Sequence, residues 1–230
     1  YGPSYRWIVA VTGMMAAMTM ILSSTMVNVA VPSIMGTFGV GQGEAQWMST
    51  AFLSAMTASQ LLGAWAMSVA GPRGGYLGAV ALFIAGSLLG AVAPNIDVLI
   101  AARTLQGVAA GIVQPIVMVT IFRAFPIQNR GLALSLYGMG IMLAPVMGPV
   151  VGGITIDAIS WRYMFFIPLP FAGLSIVLGT LFMPTRDEES ARLPFNWIGY
   201  GLIVGAIICA MTAIANGHRD GWTSDKILLL

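Results

Sequence analysis

The stretch WIVAVTGMMAAMTMILSSTMVNVAVPSIM, residues 7–35, contains no charged side chain, and charge is absent from the whole interval between Arg6 and Glu44. In lipid, an α-helix satisfies its own backbone hydrogen bonds, and about 20 apolar residues are enough to cross the hydrocarbon. A secretory signal peptide has a shorter apolar core and a small-residue cleavage site. The stretch is therefore predicted to be a membrane-spanning helix, not a leader.

The same pattern repeats along the chain, which is 58% hydrophobic and 8% charged, with a mean hydropathy of +0.88. Soluble domains carry about a quarter charged residues, so we expect an all-α membrane protein. Further uncharged runs predict seven spans, with the start of an eighth at residues 227–230. The seven lie at about residues 7–35, 45–69, 74–93, 98–122, 131–156, 163–183 and 197–215.

A polar cluster at residues 186–192 is the predicted domain boundary. It separates a six-span N-terminal bundle, residues 1–185, from residues 186–230, which hold a linker, the seventh span and the start of an eighth. The chain begins with Tyr1 and ends in an apolar run. We interpret it as a piece of a longer membrane protein whose C-terminal part is absent.

The distribution of basic residues predicts the orientation in the membrane. Alternate connections place more arginine on the side of the N-terminus, which should therefore be cytoplasmic. Tryptophans near the predicted span ends fit the aromatic belts of the two membrane surfaces. The arginine-rich side has Arg6, Arg73, Arg123, Arg130, Arg186 and Arg192, the other side has Arg162, Arg219 and Lys226, and the tryptophans are Trp7, Trp47, Trp161, Trp197 and Trp222.

Other functional classes find little support in the sequence. The formal charge of +2 is spread over short clusters, so no nucleic-acid partner is predicted. The one cysteine, Cys209, and the one histidine, His218, offer neither a disulfide nor a metal site. No paired acids and no nucleophile with a nearby base are apparent, so an enzyme is not expected and no cofactor is predicted.

Arg103 is the one charged residue well inside a predicted span. A cation in hydrocarbon is costly, so such a side chain normally faces a cavity or a partner. Together with Gln106, Gly107, Ala110 and Gln114 it follows the helical spacing of three or four residues, which predicts one polar face. The alternative is that Arg103 extends along the helix to the membrane surface.

Polar residues interrupt the first span, and small residues and prolines are concentrated in the fifth. Those of the first span line a cavity or form hydrogen bonds between helices, and both interpretations stay open. In the fifth span, small residues and prolines predict a kinked helix packed closely against a neighbour. The first-span residues are Ser23, Ser24, Thr25 and Asn28, and the fifth-span residues are Ala144, Pro145, Gly148, Pro149, Gly152 and Gly153.

Four stretches together resemble the fourteen-span drug:proton antiporters of the EmrB/QacA type, in the major facilitator superfamily. They occur in the family's order and cover most of the chain. They are LSSTMVNVAVP at residues 22–32, RTLQG at 103–107, APVMGPVVGG at 144–153 and WRYMFFI at 161–167.

The resemblance implies an alternating-access exporter of amphipathic small molecules, driven by protons, in the bacterial cytoplasmic membrane. Residues 197–230 would begin the hairpin between two six-span bundles, and the helix of Gly148 and Pro149 would form the bundle interface. Some relatives in two-membrane bacteria work with a periplasmic adaptor protein, which is a candidate partner. The implied substrate and proton pathway comprises Arg103, Gln106, Gln114, Ser23, Ser24, Thr25 and Asn28.

The chain departs from the family pattern at two places. Ser23 stands where the first-span signature has an acidic residue, and a serine cannot carry a proton near neutral pH. The predicted cytoplasmic gating loop after the second span reads SVAGPR at residues 68–73, and we assign Ser68, Gly71 and Arg73 to it. An alternative function is therefore a degenerate transporter-like membrane protein that acts as a sensor or assembly partner.

Overall fold

The structure, a computed structural model, describes residues 3–185 and 194–220. Within those residues it is helical with no strand, and six helices are long and apolar enough to cross a membrane. The linker predicted at residues 186–192 and the eighth span predicted from residue 227 lie outside the described residues. The helices are α1 (Pro3–Phe38), α2 (Gln42–Ala91), α3 (Ile96–Ala124), α4 (Ile127–Ala158), α5 (Pro168–Phe182) and α6 (Trp197–Asp220), with a 3₁₀ turn at Trp161–Phe165.

Helix α2 covers two predicted spans and is interrupted only at Gly71, whose φ of 74° and ψ of 170° are not helical. The predicted connection at residues 68–73 is therefore confined to Gly71, with helical residues on both sides. Proline disfavours helical geometry in the residue before it and is tolerated at the start of a helix, so Pro72 starts the second half of α2. The backbone angles of Gly71 are accessible essentially to glycine alone.

The chain reverses its direction at Gly71. Close approaches show the first half of α2 running parallel to α3 and the second half running antiparallel to it. Each half of α2 is thus a separate straight helical segment, and α3 packs along both segments. The approaches are Phe52 to Gly107 and Gly63 to Pro115 in the first half, and Gly75 to Ile116 and Gly86 to Ala102 in the second.

The 3₁₀ turn before α5 is hydrogen-bonded to the end of α1 and to the segment that follows α2. Trp161 is buried, and its indole Nε1 donates a hydrogen bond to Thr37 Oγ1 at 3.0 Å. The guanidinium of Arg162 donates to the backbone oxygen of Ala93 at 2.9 Å. The Trp161 indole therefore ties the turn to α1.

Helix α1 contacts α2, α3, α4 and α5, whereas α6 packs on α2 within the described residues. The buried apolar side chains form two clusters. The lower cluster, at the end where α1 begins, includes Val9, Met20, Phe52, Val80, Phe83, Ala110, Val117 and Phe125. The upper cluster, at the end where α1 finishes, includes Met26, Val27, Ile34, Met48, Ala91, Leu99, Trp161 and Phe165.

Candidate functional site

The start of α3 brings Arg103 into the protein interior. Asn95 caps this helix, since its side-chain oxygen accepts a hydrogen bond from the Val98 N–H at 2.9 Å, and Asp97 lies in the first turn. Both features stabilise a helix N-terminus. Arg103 follows two turns later and is 0% exposed. Its guanidinium therefore stays inside the protein and does not extend to the surface.

Arg103 begins a chain of buried hydrogen bonds between two helices. Its Nη1 donates to Gln106 Oε1 at 2.7 Å, and Gln106 Nε2 donates to Ser87 Oγ on the second half of α2 at 2.8 Å. Gly86 permits this contact, because a Cβ there would lie 3.0 Å from both the Ala102 oxygen and the Gln106 side chain. The two helices are thus joined by a polar contact within apolar surroundings.

The first half of α2 closes the other side of the guanidinium. The Arg103 guanidinium carbon lies 4.3 Å from the ring centroid of Phe52. A cation over an aromatic face gains up to about 2 kcal/mol when both are desolvated. Gly107 makes room for this approach, since a Cβ there would overlap the backbone oxygen of Phe52. Of the predicted polar face, Gln114 is only half-buried and takes no part in this network.

Sequence reasoning missed Ser87 and Phe52. Ser87 is a single hydroxyl in an apolar run, and this polar interruption was the one available signal. Phe52 has no distinguishing signal, because an aromatic residue in a membrane span is ordinary.

No described carboxylate balances the charge of Arg103. The acidic residues whose side chains the structure describes, Glu44, Asp97 and Asp157, are exposed at the upper ends of their helices. Arg103 Nε and Ser23 Oγ are both buried and have no hydrogen-bond partner among the described residues. The interior of the described bundle therefore contains a guanidinium without an ionic partner.

The four polar residues of α1 do not form one group. Asn28 is exposed, and its Oδ1 accepts a hydrogen bond from Ser49 Oγ of α2 at 2.8 Å. Thr25 Oγ1 donates to the Leu22 oxygen at 3.0 Å and reaches the Ala144 oxygen of α4 at 3.4 Å. Ser24 is half-buried, whereas Ser23 is 1% exposed. Asn28 and Thr25 thus connect helices, and Ser23 alone is deep in the interior.

The six motif residues of α4 divide between two faces. Ala144, Gly148 and Gly152, spaced four residues apart, are buried. A Cβ at Gly148 would overlap Thr25 of α1, and one at Gly152 would lie 2.8 Å from the Met164 side chain and 3.2 Å from the Met26 oxygen of α1. Close approach of this kind is how small residues join membrane helices. Pro145 and Pro149 point outward, and Gly153 has open space around it. One face therefore packs on α1 while the other is left uncovered.

The break in α2 is tied to the end of α5. The backbone N–H of Arg73 donates to the Pro184 oxygen at 3.2 Å, and its Nε donates to the Gly179 oxygen at 3.4 Å. Ser68 stays within its own helix and donates to the Trp65 oxygen at 2.8 Å. Of the predicted gating residues, Gly71 and Arg73 therefore shape this corner, and Ser68 does not.

These features define a multi-pass helical membrane protein. The sequence profile of the Major Facilitator Superfamily matches residues 13–217, and the chain belongs to this family of transporters, which are not enzymes. It is 32% identical to the multidrug export protein EmrB of Haemophilus influenzae, over 94% of this chain and 42% of that protein. It is 30% identical to the fatty acid resistance protein FarB of Neisseria gonorrhoeae, over 100% of this chain and 45% of that protein.

A solved structure shares the fold. The chain superposes on the proton:xylose symporter XylE bound to 6-bromo-6-deoxy-D-glucose with a TM-score of 0.71 and 15% identity, covering 100% of this chain and 56% of that one. The chain spans about half the length of the curated relatives named above. Its similarity thus extends along one half of a complete transporter.

Proposed function

We propose that the protein is a secondary active transporter that exports amphipathic small molecules by alternating access. Membership of the family supports transport, the name of EmrB supports drug export, and the name of FarB, a fatty acid resistance protein, supports amphipathic compounds as substrates. The observation that carries the proposal is the Arg103 network. A buried cation that costs several kcal/mol in a membrane protein usually serves function, and here two glycines maintain its surroundings.

We further propose that export is exchanged for protons. The proton carrier would lie outside the described residues, because Ser23 does not titrate and the described acids stand at helix ends. Arg103 and Gln106 would belong to the substrate and proton pathway. The remaining candidates for this pathway are Gln114, Ser23, Ser24, Thr25 and Asn28.

The uncovered face of α4 supports a second bundle. Met142, Val146 and Val150 are 76%, 68% and 60% exposed beside the outward prolines. In a longer protein this face would pack on the C-terminal bundle, and Gly71 with Arg73 would lie at the cytoplasmic gate. We propose seven or more spans in the bacterial inner membrane and a cytoplasmic N-terminus. A periplasmic adaptor protein is a candidate partner.

The test uses the full-length protein in liposomes loaded with an amphipathic fluorescent dye. A pH gradient should drive dye across the membrane, and collapse of the gradient should stop the flux. Arg103→Ala should abolish transport at normal expression. Arg123→Ala is the matched control, since Arg123 is exposed on the same helix and should retain transport. A dye flux that does not change when the pH gradient is collapsed would refute proton coupling.

The alternative, a sensor or assembly partner, is motivated by the missing acid at Ser23. The same liposomes distinguish the two functions. Binding of the dye without any gradient-driven flux would favour the sensor, whereas flux that depends on Arg103 would eliminate it.

A further inference from the structure

Four buried polar side chains form a layer between the two apolar clusters. The lower cluster lies on one side of this layer, and the upper cluster lies on the other side. The layer contains Ser23, Ser87, Arg103 and Gln106, all at most 1% exposed. Its apolar neighbours on the same helices are Met20, Phe83 and Ala110 in the lower cluster and Met26, Ala91 and Leu99 in the upper cluster.

Two contacts establish how α1 and α3 align. The rings of Trp7 and Phe125 lie 5.0 Å apart, and a Cβ at Gly13 would collide with Val117. The helices are therefore antiparallel. Counting along both from these contacts places Ser23 opposite residues 107–109 of α3, between about one and two turns beyond Arg103.

The second half of α2 relates Ser23 to the Arg103 network. This half is antiparallel to α3 and therefore parallel to α1, and its Tyr76 hydroxyl donates to the Thr12 oxygen at 3.0 Å. Ser23 follows Thr12 by the same number of residues as Ser87 follows Tyr76, so Ser23 lies at the level of Ser87. Ser87 accepts from Gln106, which in turn accepts from Arg103, so Ser23 and Arg103 belong to the same layer. Each also has one buried polar atom without a partner among the described residues, Ser23 Oγ and Arg103 Nε.

The positive charge of Arg103 in this layer has no counter-charge among the described residues. A buried charge without a partner is strongly destabilising. Phe52 compensates the charge only in part, and the described carboxylates are at the helix ends. Because Arg103 is 0% exposed, a carboxylate elsewhere in a longer protein could touch it only if the helices first opened.

We propose that a small monovalent anion, chloride under cellular conditions, binds in this layer between α1 and α3. It accepts hydrogen bonds from the Ser23 hydroxyl and the Arg103 Nε–H and neutralises the guanidinium. A water molecule could satisfy the two polar atoms but would leave the charge unbalanced. Since apolar clusters close the layer from both sides, a large anion such as gluconate is excluded. The site is independent of which molecule the protein transports.

The test is thermal unfolding of the purified full-length protein in detergent, with sodium chloride replaced by sodium gluconate at constant ionic strength. The melting temperature should rise with chloride and saturate, and bromide should substitute. Ser23→Ala should weaken the apparent chloride affinity about fivefold, the effect of one hydrogen bond in a buried site. Ser23→Asp should remove the chloride dependence, because a carboxylate then supplies the charge.

Ser59→Ala is the matched control, since Ser59 is equally buried and its hydroxyl donates to the Ala55 oxygen of its own helix. It should retain the full chloride response. Equal melting temperatures in chloride and in gluconate would overturn the proposal, because the layer would then hold only water. A chloride response that persists undiminished in Ser23→Asp would also overturn it, since the effect would be a general one of salt. If Ser23→Asp does not fold, Ser23→Ala decides: an unchanged chloride affinity in that variant rejects the site.

Discussion

Replacing Gly107 with alanine probes the approach of α2 to the Arg103 network. The added methyl group would overlap the backbone oxygen of Phe52 and lie 3.1 Å from the Ala55 Cβ. A backbone oxygen cannot rotate away as a side chain can. The first half of α2 must therefore move by roughly 1 Å to restore ordinary contact. That movement would carry the Phe52 ring away from the guanidinium of Arg103.

The net effect is a balance of three contributions. Alanine gains about 1 kcal/mol over glycine in a helix interior. Overpacking costs about 1–3 kcal/mol, and loss of the contact between Phe52 and Arg103 costs up to about 2 kcal/mol. These contributions sum to a destabilisation by Gly107→Ala of up to about 4 kcal/mol. Gly78→Ala is the control, because Gly78 is an exposed helical glycine with nothing within 4 Å of its Cβ position.

The assay is unfolding of the full-length protein by sodium dodecyl sulfate in mixed micelles, followed by the helical circular dichroism signal. Gly107→Ala should unfold at a lower fraction of the denaturing detergent than the wild type, and Gly78→Ala at an equal or higher one. If the two variants unfold together, the close approach does not constrain the helices, and our account of the Arg103 environment is wrong.

Two further substitutions test other parts of the structure by the same assay. Gln106→Leu removes the acceptor of the Arg103 Nη1 hydrogen bond and leaves a buried charge less satisfied, so we expect a loss of about 2–4 kcal/mol. Gly71→Ala forces an L-residue into a positive φ of 74°, and we expect a loss of about 1–3 kcal/mol.

Matched controls exist for both. Gln114→Leu makes the same change on the same helix at a half-buried position outside the network, and it should be nearly neutral. An equal loss in the two glutamine variants would contradict a special role for Gln106. For Gly71→Ala the control is again Gly78→Ala, and a stability gain in both would show that the break tolerates a side chain.

Much of the fold was predictable because lipid imposes a local rule. Each uncharged run of sufficient length must become a helix, so the runs near residues 7–35, 98–122 and 131–156 appear as α1, α3 and α4. The importance of Arg103 followed from the same rule, because a charged side chain within an apolar span is costly unless it faces a cavity or a partner. The corner at Gly71 was harder, because glycine and proline together indicated a loop where one residue reverses the chain.

The sequence by itself determined which segments are helices and that Arg103 stands among apolar residues, since both depend on consecutive residues and the cost of polar groups in lipid. Only the tertiary structure decided what surrounds Arg103. Phe52 and Ser87 are 51 and 16 positions away along the chain, Ser23 is on another helix, and the motif of α4 turns one face to α1 and the other outward. Which helices meet, and at which level, depends on packing between distant residues, and a local pattern does not encode it.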